Sequence, residues 1–410
     1  MRVVGMDIHR VFAEVVALLD GVVTRPGRVD MRRDRLEEFA RSTLTHDDDV
    51  VVEATGDAAA VVEVLSPHVG RVVIANPKQV RLIADAKVKT DKIDAAVLAR
   101  LYAGGFLPEV WVPDARTEAM RRQVTRRTQL VRQRTRLKNI VQSILHAHLV
   151  PPCPHGDLFG RAGRGWLAGQ WLPEDERAAV ERHIRELDRL GEELSGVERD
   201  IARRALEDEA VKRLMTVPGI DMVVAVGLAA AIGDARRFAA PERLVAYLGL
   251  HPSVHQSGDG PARHGRITKQ GRGQARGMLV EAAWAAARSP GPLRAFFLRI
   301  AARRGQHAAA VATARKMAVV VWHMLRDGKD YTWSRPALHA KKLRDLQLRA
   351  GHPPRRGRRG PAHAYNKAGT REAERRQAAD GEAACDRLTR GWQPKGPRRA
   401  RMGAAKEGRA

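Results

Sequence analysis

Two apolar runs near the start of the chain each contain a carboxylate. Asp7 lies inside the run at residues 3–8, and Glu53 ends the run at residues 50–53. Runs rich in β-branched residues are typical of strands buried in a sheet, where an unpaired carboxylate is costly. The sequence therefore predicts a buried sheet in which Asp7 and Glu53 have cations or other polar partners.

Two further carboxylates, Asp91 and Asp94, lie three residues apart at the start of a predicted helix, so they share one helix face. If this face meets the two strands, the four carboxylates share a pocket that needs cations, because like charges at close range cannot all stay ionised. Two Mg²⁺ ions about 4 Å apart would satisfy it, as in enzymes that cleave phosphodiesters. The alternatives are solvated surface carboxylates and, for Asp91, a helix-start residue favoured by the dipole.

The chain carries a large excess of positive charge. Its 73 Lys and Arg residues against 47 Asp and Glu residues give a formal net charge of +26. This excess favours nucleic acid as a partner, since contacts with phosphates release counterions. Aromatic residues make up only 4% of the chain, so stacking on single-stranded bases is not expected to dominate binding. Two cysteines, Cys153 and Cys385, exclude a disulfide framework and a four-thiolate zinc site.

Membrane residence and nucleotide hydrolysis are not expected. The N-terminus lacks a signal-peptide pattern, and the longest apolar stretch, residues 223–232, is too short to cross a bilayer. We therefore predict a cytoplasmic, nucleoid-associated protein with no membrane contact. The phosphate-binding pattern GxxxxGK[ST] and the dinucleotide fingerprint GxGxxG are absent, so any joining of strands must proceed without ATP hydrolysed by this chain.

The pattern divides the chain into four predicted parts. Residues 1–112 alternate short β-branched runs with helical segments, which indicates a mixed α/β sheet. Residues 113–210 show three-and-four apolar spacing over two long helices, typical of a helical hairpin or coiled coil. Its arginine-rich first helix is either one wall of a nucleic-acid path or a solvated outer face. Residues 211–335 form a second, mainly α globular part, and residues 336–410 are rich in Arg, Gly and Pro, which predicts a disordered basic tail.

Two segments of the second globular part suggest contacts with phosphate. The turn at Pro218 and Gly219 resembles a helix-hairpin-helix element, in which backbone N–H groups grip a phosphate; a simple turn is the alternative. Ser257 precedes Gly258 in a loop close in sequence to the cations Arg266 and Lys269. A serine so placed is a candidate nucleophile, although a serine and a glycine together often mark only a loop.

These motifs together resemble the DEDD transposases of the insertion-sequence one-ten family, the bridge-RNA-guided recombinases. The resemblance covers roughly residues 1–110 and 211–325. Four stretches of the sequence carry it: Gly5-Met6-Asp7-Ile8; Val52-Glu53-Ala54-Thr55-Gly56; Asn76-Pro77 through Lys89-Thr90-Asp91-Lys92-Ile93-Asp94-Ala95; and Val217-Pro218-Gly219-Ile220 through Gly249-Leu250-His251-Pro252, Ser257-Gly258 and Gly265-Arg266-Ile267-Thr268-Lys269. The chain departs from the family pattern at His9-Arg10, at Asp57-Ala58 and at Asp221.

The resemblance implies a RuvC-like, RNase H-type fold for the first part, with Asp7, Glu53, Asp91 and Asp94 as ligands of two Mg²⁺ ions, for which Mn²⁺ can substitute. It implies that Ser257 is the nucleophile. It also implies a homo-oligomer, a dimer or a tetramer, in which one protomer's pocket is completed by another's serine domain. The implied partners are donor DNA, target DNA and a structured guide RNA that pairs with both. Gly219, Arg266 and Lys269 are the candidate nucleic-acid contacts.

Three functions are therefore in competition. The first is a transposase or recombinase that transfers DNA strands through a serine–DNA link. The second is a structure-selective endonuclease of the Holliday-junction-resolving kind, which uses the same carboxylates with water as the nucleophile. The third is a non-catalytic DNA- or RNA-binding protein, which predicts metal-independent binding and no effect of removing the carboxylates.

Overall fold

The computed structural model describes residues 1–84, 90–258, 260–354 and 368–389, without the side chains of His264, Leu388 and Thr389. The chain forms two compact units, Met1–Asp114 and Ala115–Ala410. The finer division into four parts stays a prediction.

The first unit is a six-stranded mixed sheet with helices. Its described elements are β1 (Arg2–Ile8), β2 (Phe12–Leu19), β3 (Val22–Asp30), α1 (Arg33–Thr43), β4 (Asp48–Glu53), α2 (Ala58–Leu65), β5 (Arg71–Ala75), α3 (Pro77–Ile83), α4 (Asp91–Ala103) and β6 (Glu109–Val110). The strand order is β3-β2-β1-β4-β5-β6. The central strands β1, β4 and β5 run parallel, whereas β2, β3 and β6 pair antiparallel to their neighbours. The α/β class predicted from the sequence is confirmed.

The position of α4 on the sheet depends on a glycine. A Cβ atom at Gly5 would collide with the backbone oxygen of Ala95, so only glycine lets α4 lie this close to β1. Thr90 caps α4, since its hydroxyl accepts a hydrogen bond from the Ile93 N–H at 3.4 Å. The start of α4 is thereby held over the carboxyl end of β1.

The second unit is mainly helical. Its described elements are α5 (Ala115–Ala147), α6 (Arg161–Ala168), α7 (Glu174–Leu206), α8 (Glu209–Leu214), α9 (Met222–Ile232), a 3₁₀ turn (Ala235–Arg237), α10 (Pro241–Tyr247), β7 (Pro252–His255), β8 (Arg263–Ile267), α11 (Gly273–Ala286), α12 (Pro292–Arg304), α13 (Gln306–Asp327), α14 (Pro336–Arg349) and α15 (Ala368–Thr389). The helices α5 and α7 pack antiparallel: residues 130 and 137 meet residues 187–194, and residues 141 and 145 meet residue 180.

The centre of the second unit is built on α9 and α13. Nine of the eleven residues of α9 are buried. Within the described chain, α13 is the one helix long and apolar enough to cross a membrane by composition, and half of its most apolar window is buried in the protein. It packs on α10, α11 and α12, as the core helix of a folded domain does.

The predicted disordered tail is wrong for residues 336–349 and 368–389, which are helical. Leu346 of α14 is 1% exposed and joins the main core of the second unit. Glu374 of α15 is also buried, and it accepts hydrogen bonds from the Ala337 N–H at 2.7 Å and from Arg335 Nε at 3.2 Å. The apolar spacing of these helices drives their packing, although the basic composition around them hides it. The rest of the predicted tail, residues 355–367 and 390–410, lies outside the described residues.

Candidate active site

Asp7, Glu53, Asp91 and Asp94 come together on one face of the sheet. Asp7 is the second-last residue of β1. It lies two residues after Gly5, so its side chain is on the face that α4 covers. Glu53 ends β4, whose Val52 is the parallel partner of Met6. Asp91 and Asp94 occupy the first turn of α4. The strands and the helix thus bring Asp7 and Asp91 within metal-binding distance of each other, and Glu53 and Asp94 near enough for their charges to interact with that of Asp7.

The electrostatics of Asp7 and Glu53 show how close these groups are. Burial raises the pKa of Asp7, His9 opposes the rise, and the charges of Asp94 and Asp91 add to it. Burial likewise raises the pKa of Glu53, the charges of Asp7 and Asp94 add to it, and Arg81 opposes it. Each member of the set therefore acts on at least one other, which is the condition under which a bound cation stabilises a pocket.

His9, one of the positions at which the sequence departs from the family pattern, belongs to the same pocket. The Nε2 atom of His9 lies 3.4 Å from Oδ2 of Asp7 and 3.2 Å from Oδ2 of Asp91. Its ring also packs at 4.9 Å against the ring of Phe12. Ligand atoms of Asp7, His9 and Asp91 all lie within 4.8 Å of one another, so these side chains could hold a metal ion. The available sequence signal was a histidine two residues after a strand carboxylate.

A fifth carboxylate, Glu14, lies next to the pocket but has its own partner. Glu14 is the cross-strand neighbour of Asp7 on β2 and is 2% exposed. It accepts a hydrogen bond from Arg28 Nε at 2.9 Å. Because Arg28 balances its charge, Glu14 supports the sheet rather than competing for a cation.

The donor set of the pocket suits a hard divalent cation. Carboxylate oxygens are the ligands that Mg²⁺ and Mn²⁺ take in proteins, and an imidazole is compatible with Mn²⁺. The Asp7 side chain is 17% exposed and the Asp91 side chain 40%, so the pocket is lined by protein on one side and open on the other. An ion and a large substrate could both reach it.

Ser257 lies on the second unit, in the connection between β7 and β8. It is exposed, and Gly258 after it has φ +54°, in the left-handed region that glycine adopts easily. The other serine of this hairpin, Ser253, is in β7, and its Oγ occupies the space that a side chain at position 265 would need. Of the two hydroxyls, Ser257 has the more accessible position.

Lys269, a predicted nucleic-acid contact, has an unusual backbone. Its φ is +57°, a backbone angle that residues other than glycine rarely adopt. Two hydrogen bonds hold it there: its N–H donates to the Gly249 oxygen at 3.1 Å, and its carbonyl accepts from Arg276 Nη1 at 3.1 Å. Strain that the surroundings maintain in this way often marks a functional position. The side chains of Lys269 and Arg266 are both exposed.

Gly219 lies in a turn that is packed into the second unit. Its φ is +90°, and a Cβ atom there would collide with the backbone oxygen of Ala282 on α11. Asp221 caps α9, accepting a hydrogen bond from the Val224 N–H at 2.9 Å. The Asp221 carboxylate therefore satisfies one of the N–H groups at the start of α9, the end of the turn for which phosphate contact and a simple turn were the alternatives.

Comparison with known proteins identifies the family. Residues 4–149 match a model described as "Transposase", built for DEDD transposases of the IS110 type, and residues 211–298 match one described as "Transposase IS116/IS110/IS902 family". A Pseudomonas aeruginosa protein named as a family 20 transposase is 32% identical over 267 residues, which are 60% of this chain and 77% of that protein. The chain belongs to the IS110/IS116 family of transposases.

Two further relatives are also named as transposases. A Sinorhizobium fredii protein named as transposase y4qE is 35% identical over 201 residues, 48% of either chain. The transposase for insertion sequence element IS1111A of Coxiella burnetii is 25% identical over 249 residues, 59% of this chain and 68% of that protein. The chain thus spans about half the length of the Sinorhizobium relative. The first matched region contains the four carboxylates and His9, and the second contains Ser257, Gly219, Arg266 and Lys269.

Proposed function

We propose that this family member is a DNA transposase that cleaves and rejoins strands by metal-assisted phosphoryl transfer. The observation that carries the proposal is the convergence of Asp7, Glu53, Asp91 and Asp94 from two strands and a helix. Such a cluster on a buried sheet face, within a chain of formal net charge +26, suits a site that binds cations and a polyanion together. Family membership supports the choice of DNA as that polyanion.

The four carboxylates, with His9 beside them, would hold two divalent cations, Mg²⁺ or in its place Mn²⁺. Bound there, such ions supply Lewis acidity, which activates an attacking oxygen and stabilises a leaving one. The protein's own contribution is positional. The packing of α4 on Gly5 fixes Asp91 and Asp94 relative to Asp7, and burial keeps water away from one side of the pocket.

Ser257 is the proposed nucleophile. Its hydroxyl would lose a proton to water while Oγ forms a bond to phosphorus, and the bond from phosphorus to the 3′-oxygen of the neighbouring nucleotide would break. The departing oxygen takes up a proton and becomes a 3′-hydroxyl. Attack of a 3′-hydroxyl on the phosphoserine reverses these steps and frees the serine. Because one phosphoester replaces another, rejoining needs no ATP.

Donor DNA, target DNA and a structured guide RNA are the proposed partners, and a dimer or tetramer is the proposed assembly. The net positive charge of the chain supports the choice of nucleic acids as partners. An open groove of about 490 Å³ runs along α5 and is lined by Arg132, Thr135, Arg136, Asn139, Ile140 and Ser143. Cations and hydrogen-bonding groups at helical spacing on one exposed face suit contact with a phosphate backbone. Arg266 and Lys269 are proposed to neutralise charge on the reacting phosphate.

A covalent-adduct assay tests the proposal. Wild-type protein, a DNA with the element's own ends, RNA transcribed from its flank and Mg²⁺ should give a protein–DNA adduct that survives denaturing electrophoresis. The Ser257→Ala variant should lose the adduct, and the matched control Ser253→Ala should keep it. An adduct that persists in Ser257→Ala and disappears in Ser253→Ala would show that Ser253, and not Ser257, is the nucleophile.

The same assay separates the competing functions. Free cut ends without any adduct would favour the Holliday-junction-resolving nuclease, whose nucleophile is water. Nucleic-acid binding with no cut ends in any metal, and no effect of Asp94→Asn on that binding, would favour the non-catalytic binding protein.

A further inference from the structure

Three backbone oxygens converge on one ammonium group in the second unit. Lys342 of α14 donates hydrogen bonds from Nζ to the carbonyl oxygens of Met215, Val217 and Ile220, each at 2.8 Å. All three acceptors belong to residues 215–220, the turn that joins α8 to α9 and contains Gly219. The three donors of the ammonium are thus matched by three acceptors from a single turn.

The turn holds its carbonyls in this arrangement because its backbone is fixed. The N–H of Val217 donates to the Leu214 oxygen at 3.1 Å, and the N–H of Ile220 donates to the Val217 oxygen at 3.2 Å. Gly219 lies against the backbone of α11, where a side chain has no room. A fixed set of inward-facing carbonyls is the kind of group that replaces the hydration shell of a monovalent cation.

The Lys342 ammonium keeps its charge at neutral pH although it is buried against the turn. Asp221 follows the turn, and its charge raises the pKa of Lys342, whereas burial, the larger effect, lowers that pKa to about 8. The ammonium is therefore charged at neutral pH despite its burial. The adjacent Lys341 differs, because it is partly exposed and pairs with Asp345 of its own helix at 2.7 Å. Only Lys342 of these two side chains has the turn as its partner.

We propose that residues 215–220 form a binding site for a monovalent cation, filled by the Lys342 ammonium while α14 is docked and by potassium or ammonium when that side chain is absent. The lysine is then a tethered cation that joins α14 to the turn between α8 and α9. This role is independent of the reaction proposed above.

Thermal unfolding of the full chain tests the site. The Lys342→Ala variant should melt below the wild type in tetramethylammonium chloride, whose cation is too large for the turn. Replacing that salt by potassium or ammonium chloride at equal concentration and pH should raise its Tm, with a gain that saturates as binding does. Wild type and the matched control Lys341→Ala should show no such selectivity. Equal Tm of Lys342→Ala in all three salts would overturn the proposal.

A second variant guards against misfolding. Lys342→Met keeps most of the side-chain stem and loses the charge, so it should retain the packing of α14. Thallium(I) NMR should show an ion bound to Lys342→Met and displaced by potassium, and none bound at this site in the wild type. Folding of either variant in potassium alone would support the site. Failure of both to fold in every salt, or thallium binding equal to that of the wild type, would contradict it.

Discussion

Gly5 of β1 lies directly against the backbone oxygen of Ala95 on α4, and this contact sets the distance between the strand carboxylate and the helix carboxylates. Asp7 is two residues beyond Gly5, and Asp94 and Asp91 precede Ala95 within one helical turn. Any side chain at position 5 must therefore move the start of α4 away from Asp7. Packing at one glycine and the geometry of the pocket are coupled.

We expect Gly5→Ala to cost about 1–3 kcal/mol of unfolding free energy, the usual range for overpacking, and to lower strand cleavage by more than the loss of folded protein explains. Urea unfolding and a cleavage assay at matched folded concentration would measure both. Gly56→Ala is the control, because a Cβ atom at position 56 meets nothing within 4 Å. Equal activity per folded molecule in wild type and Gly5→Ala would refute the coupling.

Removing a proposed metal ligand should abolish cleavage while sparing the fold. We expect Asp7→Asn and Asp94→Asn each to lower the cleavage rate by at least about 100-fold, because the electrostatic term of phosphoryl transfer is lost. Mg²⁺ should raise the Tm of the wild type and not that of either variant. Asp34→Asn, on the exposed part of α1, should behave as the wild type in both measurements. Full cleavage by both pocket variants would show that Asp7 and Asp94 are not ligands of a catalytic metal ion.

Without metal, the pocket should become less stable as the pH rises. The folded-state pKa values of Asp7 and Glu53 are raised, so the folded protein binds more protons than the unfolded chain between the ordinary and the raised values. The unfolding free energy should therefore fall as the pH rises through that window. In EDTA, Asp7→Asn should show a smaller fall than the wild type in urea titrations from pH 4 to 7. An identical slope would mean that burial and the neighbouring carboxylates do not raise the pKa of Asp7.

Lys342 should give the opposite slope in the alkaline range. Its pKa is about 8 in the folded protein against 10.5 as the ordinary value, so the unfolded chain binds more protons between these limits. The unfolding free energy should rise with pH there, by at most about 1.4 kcal/mol per unit. Asp221 is the charged group that acts on Lys342 in this range, because burial lowers the pKa of the nearby His339 below its ordinary value and leaves that ring neutral. Lys342→Met should lose this rise and Lys341→Met should keep it; the reverse result would exclude Lys342 as its source.

Two truncations should separate binding from folding. Removing residues 390–410 takes away a basic sequence, so nucleic-acid affinity should fall and its dependence on salt concentration should flatten while the Tm stays constant. Ending the chain at residue 335 also removes Leu346 and Lys342, so it should lower the Tm markedly. Binding titrations over a range of salt concentrations, with thermal melts of each protein, would distinguish the two effects. An unchanged salt slope in the shorter truncation would show that residues 390–410 do not contact nucleic acid.

The sequence predicted β1 and β4 well because their apolar residues are contiguous, and the start of α4 because Asp91 and Asp94 lie three residues apart at the beginning of a helical pattern. It did not predict β3, whose residues are mostly exposed and include Arg25, Pro26 and Gly27. Such a strand forms because β2 offers it a hydrogen-bonding edge. The presence of that edge cannot be deduced from the residues of β3 alone. The two-residue strand β6 is too short to leave a pattern.

The same difference between local patterns and tertiary contacts holds for the functional residues. Asp7, Glu53, Asp91 and Asp94 follow from strand ends and helix periodicity. His9 contacts Asp91 only because α4 folds back over β1, and Lys342 reaches the turn at residues 215–220 from more than a hundred residues away. Contacts between distant segments depend on the tertiary fold, and no spacing rule predicts them.

The edge strand β3 bears on whether the sheet of one copy could be extended by the sheet of another. A proline at position 26 donates no backbone hydrogen bond, and the exposed Arg25 before it places positive charge on the strand. A second copy that tried to extend the sheet here would meet like charge and a missing donor. We therefore expect this edge to resist the strand-to-strand aggregation that an unprotected sheet edge would promote.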